Sequence, residues 1–393
     1  MKIIPSIQNK LDQRAARFLL RQRYIIDTKH NNEVFISGKR LINFCSNDYL
    51  NLSGHVEIKN AFMRSAQRYG TGSCSSALIS GYSKSHYQLE ETVADYLNQD
   101  RAILFNSGYH ANLGVLTALA HKNSLIIADK FCHASLIDGI QLSQAKFHRY
   151  RHHDLNHASA LAEKYKHSPL LFVTESVFSM EGNITDLRKL SSLASQHKAA
   201  LIVDDAHGFG VLGAKGKGII EHLQMSATDI TCLIIPFGKA LGSFGAIVSG
   251  SEEITEAILQ LARTYCYSTA LPPAICDATR QAIRIMQAEN WRREKLLYLI
   301  KLFIQEAKAR QLPLTSDDET PIKSILIRNN QLALRLQQRL MQMGWFVSCI
   351  RPPTVPDQTS RIRLSLNCMH TEKQIIALLD HIKTLFDIVT KTQ

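Results

Sequence analysis

The chain has 393 residues, 45% hydrophobic and 20% charged, a balance that excludes a disordered or fibrous protein and allows one large domain with a smaller one. Its 46 Lys and Arg against 34 Asp and Glu give a formal net charge of +12, suited to nucleic acid, a membrane surface or an acidic substrate. The basic residues are scattered and form no stripe with interleaved aromatics, which counts against a nucleic-acid partner.

The opening MKIIPSIQNKLDQRAARFLLRQRY has no apolar core followed by a small-residue cleavage site, and no run approaches the roughly eighteen apolar residues of a membrane span. A cytoplasmic protein with no membrane partner is expected. The eight cysteines form no CxxC pair and no zinc spacing, and several sit in apolar runs, so reduced thiols and no metal are expected.

Residues 1–50 read as an N-terminal segment that packs on the rest rather than forming its own body. Residues 51–289 read as a large α/β domain. Between about residues 90 and 250, helix-patterned stretches alternate with the apolar runs RAILF (101–105), SLIIAD (124–129), LLFVTE (170–175), ALIVDD (200–205), TCLII (231–235) and GAIVSG (245–250). Short β-branched runs of this kind predict a mostly parallel, buried central sheet with helices on both faces. Residues 290–393 then read as a smaller α+β domain: a charged helix over 290–311, a strand near IKSILI, a helix over 330–343, WFVSCI, RIRLSL and a last helix from 371.

In open α/β sheets ligands sit beyond the carboxyl ends of the strands. Here five successive runs end in polar groups, at LFNSGYH, ADKFCHAS, VTESVFSMEG, VDDAHGFG and PFGK, which predicts one shared site. Asp204, with His207 three residues on, suits a carboxylate pairing a protonated heterocyclic nitrogen, an N-cap beside a loop histidine, or a metal carboxylate. Lys239 suits a covalent lysine or a charge in a turn; a nucleotide P-loop is excluded because GKA follows IIPF rather than GxxxxGK with Ser or Thr.

The first-turn N–H groups of Gly108 and Tyr109 in NSGYHAN suit a phosphate seat or a plain helix start. His133 suits a ring lying over a heteroaromatic system or a cap on the next helix. Tyr267, Ser268 and Thr269 suit a phosphate or an ordinary loop. FHRYRHHD (147–154) lacks ligand spacing and reads as a solvated strand-to-helix connection. In RIRLSL, period two puts Arg361 and Arg363 on one face, as a carboxylate clamp or as surface charges.

Together these motifs resemble the α-oxoamine synthases, pyridoxal-phosphate transferases of fold type I. The resemblance runs through LDQRAARFLLRQRY, NFCSNDYLNLS, GYSKSHYQLEE, NSGYHAN, HASL, TESVFSMEG, VDDAHGFGVLGAKGKG, FGKALG, YSTALPP, IRPPTVP and RIRLSL. It implies pyridoxal 5'-phosphate bound covalently by Lys239, with Asp204 on the ring nitrogen, His133 stacked on the ring, and His207 and Ser179 near its phenolic oxygen. Gly108 and Tyr109 would hold the phosphate with Ser268 and Thr269, which in this family reach across from the other subunit of a homodimer.

Asn47 and Arg363 would hold an amino-acid carboxylate, and Arg21 and Thr354 would face the acyl substrate. The branch most resembled, that of biotin synthesis, implies condensation of L-alanine with a pimeloyl thioester on coenzyme A or acyl carrier protein. Sister branches using glycine or serine share the core residues.

Three positions depart from the family pattern. Pro236 stands where a threonine usually offers a hydroxyl to the phosphate. The usual GSGGS reads GSCSS at 72–76, placing Cys74 and Ser75 in a backbone that often approaches substrate. His110 stands where alanine is usual.

Overall fold

The computed structural model describes residues 3–391. It divides into two compact units, a larger one of Leu52–Ser179 and Ile184–Arg293 and a smaller one of Met1–Asn51, Met180–Asn183 and Glu294–Gln393.

All six apolar runs of the larger unit are strands of one seven-stranded sheet. In sheet order it runs 101–105, 246–250, 232–236, 200–204, 170–175, 125–129, 146–150. The last five are mutually parallel, and Ala246–Gly250 is antiparallel to both its neighbours. A parallel sheet is covered on both faces, so its strands stay apolar up to the polar residues at their carboxyl ends. Leu125–Asp129 and Leu170–Glu175 are buried at every position. Ile126, Val173, Ile202 and Ile234 pack in one core with Leu116, Leu136 and Ile140 from the covering helices, each full burial contributing about 1.5–3 kcal/mol.

The seventh strand corrects the expectation of a solvated connection. Lys146–Tyr150 pairs in parallel with Leu125–Asp129, from Leu125 opposite Lys146 to Asp129 opposite Tyr150. It is an edge strand whose Lys146, Phe147 and Arg149 stay exposed while Tyr150 is buried, so it lacks the apolar run that marks its neighbours. His152, just beyond, turns inward: its Nδ1 lies 2.8 Å from Oδ1 of the buried Asp129, and its ring stacks on Phe131.

In the smaller unit, strands 28–30, 33–36 and 39–43 form an antiparallel meander that Trp345–Phe346 joins in parallel. A second sheet orders Ile322–Arg328, Ser360–Ser365 and Ser348–Ile350, all antiparallel. WFVSCI is therefore two short strands in two sheets. Helices Asn330–Gln342 and Glu372–Lys391 follow the expected pattern. The excursion 180–183 is stitched in by Ser324 and Thr320, whose hydroxyls donate to the carbonyls of Met180 and Gly182 at 2.7 and 2.5 Å.

Candidate active site

Strand Ala200–Asp204 delivers Asp204, 5% exposed, to the carboxyl end of the larger sheet. A carboxylate there costs desolvation unless donors meet it. The Ala206 N–H donates to Oδ1 at 3.0 Å and the Asn112 amide to Oδ2 at 2.8 Å. Burial pushes the Asp204 carboxyl up; the Asn112 bond, the nearby His133 and Lys239 charges and the Ala206 N–H oppose it. Asn112, 1% exposed, also donates to Ser135 Oγ at 2.8 Å.

Ser135 carries this network to His133. The His133 ring caps helix Ala134–Leu142, its Nδ1 accepting from the Ser135 N–H at 3.3 Å and lying 2.7 Å from Ser135 Oγ. Because Nδ1 accepts, the neutral ring carries its proton on Nε2. The His133 N–H donates to Oε1 of the buried Glu175 at 2.6 Å, and Glu175 sits opposite Asp204 in the adjacent strand. Desolvation holds the imidazole below its ordinary pKa, with Asp204 raising it and the Lys239 charge lowering it further. The capping and ring-stacking alternatives for His133 are thus compatible: the cap fixes the ring that a ligand would meet.

Lys239, half-buried, follows strand Cys232–Pro236 in a tight connection. The Gly242 N–H donates to the Lys239 carbonyl at 2.8 Å, and Gly242 has φ 59° with its Cα against the Leu52–Ser53 backbone, where a Cβ would come 2.4 Å from Ser53 N. Only glycine fits that turn.

Gly108 opens helix Gly108–Leu119, capped by Ser107 Oγ accepting from the His110 N–H at 3.2 Å. The N–H groups of Gly108 and Tyr109 have no partner among the described residues, as expected of first-turn donors. Pro236 packs directly on Gly108: a Cβ there would lie 2.6 Å from Pro236 Cγ. The Tyr109 hydroxyl bonds the Asp138 carboxylate. His110 turns its Nδ1 to Ser107 Oγ at 3.1 Å, within the cap.

His207 is buried, three residues past Asp204, and Ser179 is half-buried at the end of Leu52–Ser179. Ser268 is half-buried and Thr269 exposed; the Thr269 carbonyl accepts from Asn106 at 2.6 Å. Cys74 is exposed and has φ 56°, a left-handed conformation in the place of the usual glycine.

The remaining candidates belong to the smaller unit. Strand Ser360–Ser365 is buried at all six positions, so neither arginine is a surface charge. Arg361 is paired with Glu181 at 2.8 Å. Arg363 reaches Ser365 Oγ at 3.0 Å and Asn47 Oδ1 at 3.3 Å, bringing the two predicted carboxylate binders together. Arg21 donates to Thr354 Oγ1 at 3.1 Å, and both line a cavity of about 630 Å3 whose walls include Leu20, Leu334, Val347 and Ile350.

Asn112, Ser135 and Glu175 were not singled out from the sequence. A signal existed: Asn112 is one helical turn after Gly108, and Glu175 ends the run beside the one that Asp204 ends.

A mostly parallel α/β sheet with lysine, aspartate and histidine at its carboxyl end defines a fold type I transferase. The chain belongs to the aminotransferase class I and II family, whose model matches residues 39–382, and within it to the α-oxoamine synthases.

It is 44% identical over 376 residues, 95% of each chain, to 8-amino-7-oxononanoate synthase of Thioalkalivibrio sulfidiphilus. Among solved structures it resembles the 8-amino-7-oxononanoate synthase of Francisella tularensis, at 38% identity and a TM-score of 0.79 over 90% of this chain and 99% of that one. It also resembles a serine palmitoyltransferase from S. paucimobilis with a bound PLP–myriocin adduct, at 27% identity and a TM-score of 0.91 over 99% and 98% of the two chains.

Proposed function

We propose that the protein catalyses the decarboxylating condensation of L-alanine with a pimeloyl thioester to 8-amino-7-oxononanoate, a step of biotin synthesis, with pyridoxal 5'-phosphate as cofactor. The observation that carries the reading is the convergence of Lys239, Asp204 and His133 in a chain whose near-full-length relatives bear that enzyme's name.

The residues present fit the cofactor. Asp204 supplies a buried carboxylate for a cationic ring nitrogen, Lys239 an amine, His133 a ring with a fixed tautomer, and the Gly108 and Tyr109 N–H groups free donors for a phosphate. His207 and Ser179 would lie at the ring's oxygen side. Pro236 offers no hydroxyl, so the phosphate depends more on those amides and on Ser268 and Thr269. Bound there, the cofactor supplies a protonated heterocycle that takes up the electron pair released at the α-carbon of the amino acid.

The protein's own groups do the rest. Lys239 takes the α-proton of alanine as general base and returns a proton after carbon dioxide has left. Asp204, whose ionised form Asn112 and the Ala206 N–H favour against burial, would hold the positive charge that makes the electron uptake favourable. Arg363 with Asn47 binds the alanine carboxylate. Arg21 and Thr354, in a wall that mixes Leu20, Leu334, Val347 and Ile350 with polar side chains such as Gln337 and Arg351, suit a medium-length acyl chain with a polar end.

The protein works in the cytoplasm as a homodimer in which Ser268 and Thr269 serve the partner's site. No helix of the described residues is long and apolar enough to cross a membrane.

A panel of pimeloyl, acetyl, succinyl and palmitoyl thioesters against alanine, glycine and serine, read by release of free carrier and carbon dioxide, tests the assignment. Alanine with the pimeloyl thioester should lead clearly. Faster turnover of glycine with the acetyl thioester would overturn it.

A further inference from the structure

Outside the candidate active site, three helices of the larger unit wall a cavity of about 320 Å3. Helix Val56–Tyr69 contributes Arg64 and Arg68, helix Pro273–Ala288 contributes Arg280 and Arg284, and the first turn of helix Lys84–Leu97 contributes Lys84. Both arginine pairs are spaced i, i+4, an arrangement of like charges that destabilises a helix unless an anion offsets it.

The cavity's one acidic side chain, Asp277, is already engaged by Ser85 at 2.8 Å and by Arg280 at 3.0 Å. Arg64, Lys84 and Arg284 have no ion-pair partner among the described residues, and Arg68 lies over the Tyr69 ring at 5.1 Å. Surface arginines usually scatter into solvent; here they converge on a concavity.

A second observation is independent of charge. Ser65, on the same helix as Arg64 and Arg68, lines the cavity, is 5% exposed, and its hydroxyl has no hydrogen-bond partner among the described residues. A buried hydroxyl without a partner carries an unmet desolvation cost that a bound acceptor removes. Guanidinium forks matched with a hydroxyl donor are the donor set that phosphate oxygens accept from. The volume is that of a small-molecule site.

We propose that this cavity binds a multiply charged phosphate group, of the kind carried by pyrophosphate or by a phosphorylated nucleotide, at a site separate from the Gly108 phosphate seat. The site shares no lining residue with the cofactor candidates, so it stands or falls independently of the reaction.

Isothermal titration of the protein saturated with pyridoxal 5'-phosphate, at physiological ionic strength, tests it with pyrophosphate and with adenosine 3',5'-bisphosphate. One saturable site per chain is expected for at least one probe, and the probe that binds tells a free-phosphate from a nucleotide source. Affinity should fall about ten-fold or more in an Arg68→Gln/Arg284→Gln variant, as expected for losing two charge-assisted bonds. Ser65→Ala should weaken binding several-fold, and both variants should keep the cofactor's absorbance.

Should the double variant not fold, Arg64→Gln and Ser65→Ala carry the same comparison singly. Three results overturn the proposal: no saturable binding of either probe, affinity unchanged in the variants, or an altered oligomeric state with unchanged affinity, which would make the cluster a subunit contact.

Discussion

Asn112→Leu removes two amide donors while keeping the number and branching of the side-chain heavy atoms, so it tests what the network around Asp204 is worth. The variant deprives Asp204 Oδ2 of its 2.8 Å donor and leaves Ser135 Oγ without the Asn112 bond. A hydrogen bond to a buried carboxylate contributes about 1.5–3 kcal/mol and the neutral one about 1 kcal/mol, for a combined loss of about 2–4 kcal/mol when Asp204 is ionised. The Asp204 carboxyl, already held above its ordinary value by burial, should rise further once the Asn112 donor that opposes burial is gone.

The sign follows from linkage. A carboxyl raised by folding contributes stability that is fully present below its unfolded value and lost as pH rises through the folded one. The gap between wild type and variant must therefore widen with pH. Urea unfolding of the cofactor-free protein, repeated across the pH range in which it stays folded, reads it directly. Nitrogen chemical shifts of His133 should show its Nε2–H tautomer weakened in the same variant. A gap that is constant across that range, or below about 0.5 kcal/mol throughout, would refute the reasoning.

Gly108→Ala should destabilise by about 1–3 kcal/mol, because its Cβ meets Pro236 Cγ at 2.6 Å; Pro236→Ala in that background should restore most of the loss in a double-mutant cycle measured by denaturation. Cys74→Gly should raise stability by up to about 1 kcal/mol, since φ 56° strains a cysteine more than the flexibility of glycine costs; a drop in melting temperature would show that the Cys74 side chain contributes packing.

Asp205 is buried and desolvation pushes its carboxyl up to about 7. Stability should fall as pH rises from about 4 to about 7, by at most roughly 4 kcal/mol, and Asp205→Asn should flatten that slope in denaturation curves taken over the same interval.

The central sheet was legible because a strand buried on both faces must be largely apolar, and six runs, four of them parallel, met that condition. The edge strand Lys146–Tyr150 was not, because only Tyr150 is buried and solvent tolerates the rest. Arg361 and Arg363 show the same limit at the scale of single residues. They share a face by period two, yet Arg361 finds Glu181 and Arg363 finds Asn47, 180 and 316 residues away in sequence.

The placement of Lys239, Asp204, His133 and His207 just beyond the central strands could be read from residue types that follow apolar runs, because strand ends fix where a ligand can sit. By itself the sequence determined six of the sheet's seven strands, the order of their polar ends along the chain and the family they resemble, all consequences of local pattern. Only the tertiary structure decided that Asn112 donates to Asp204 from 92 residues away, that Ser135 passes this restraint to His133, and that the Pro236 ring presses on Gly108. Those contacts depend on ångström-scale approach between segments distant in the chain, and neither periodicity nor composition carries that distance.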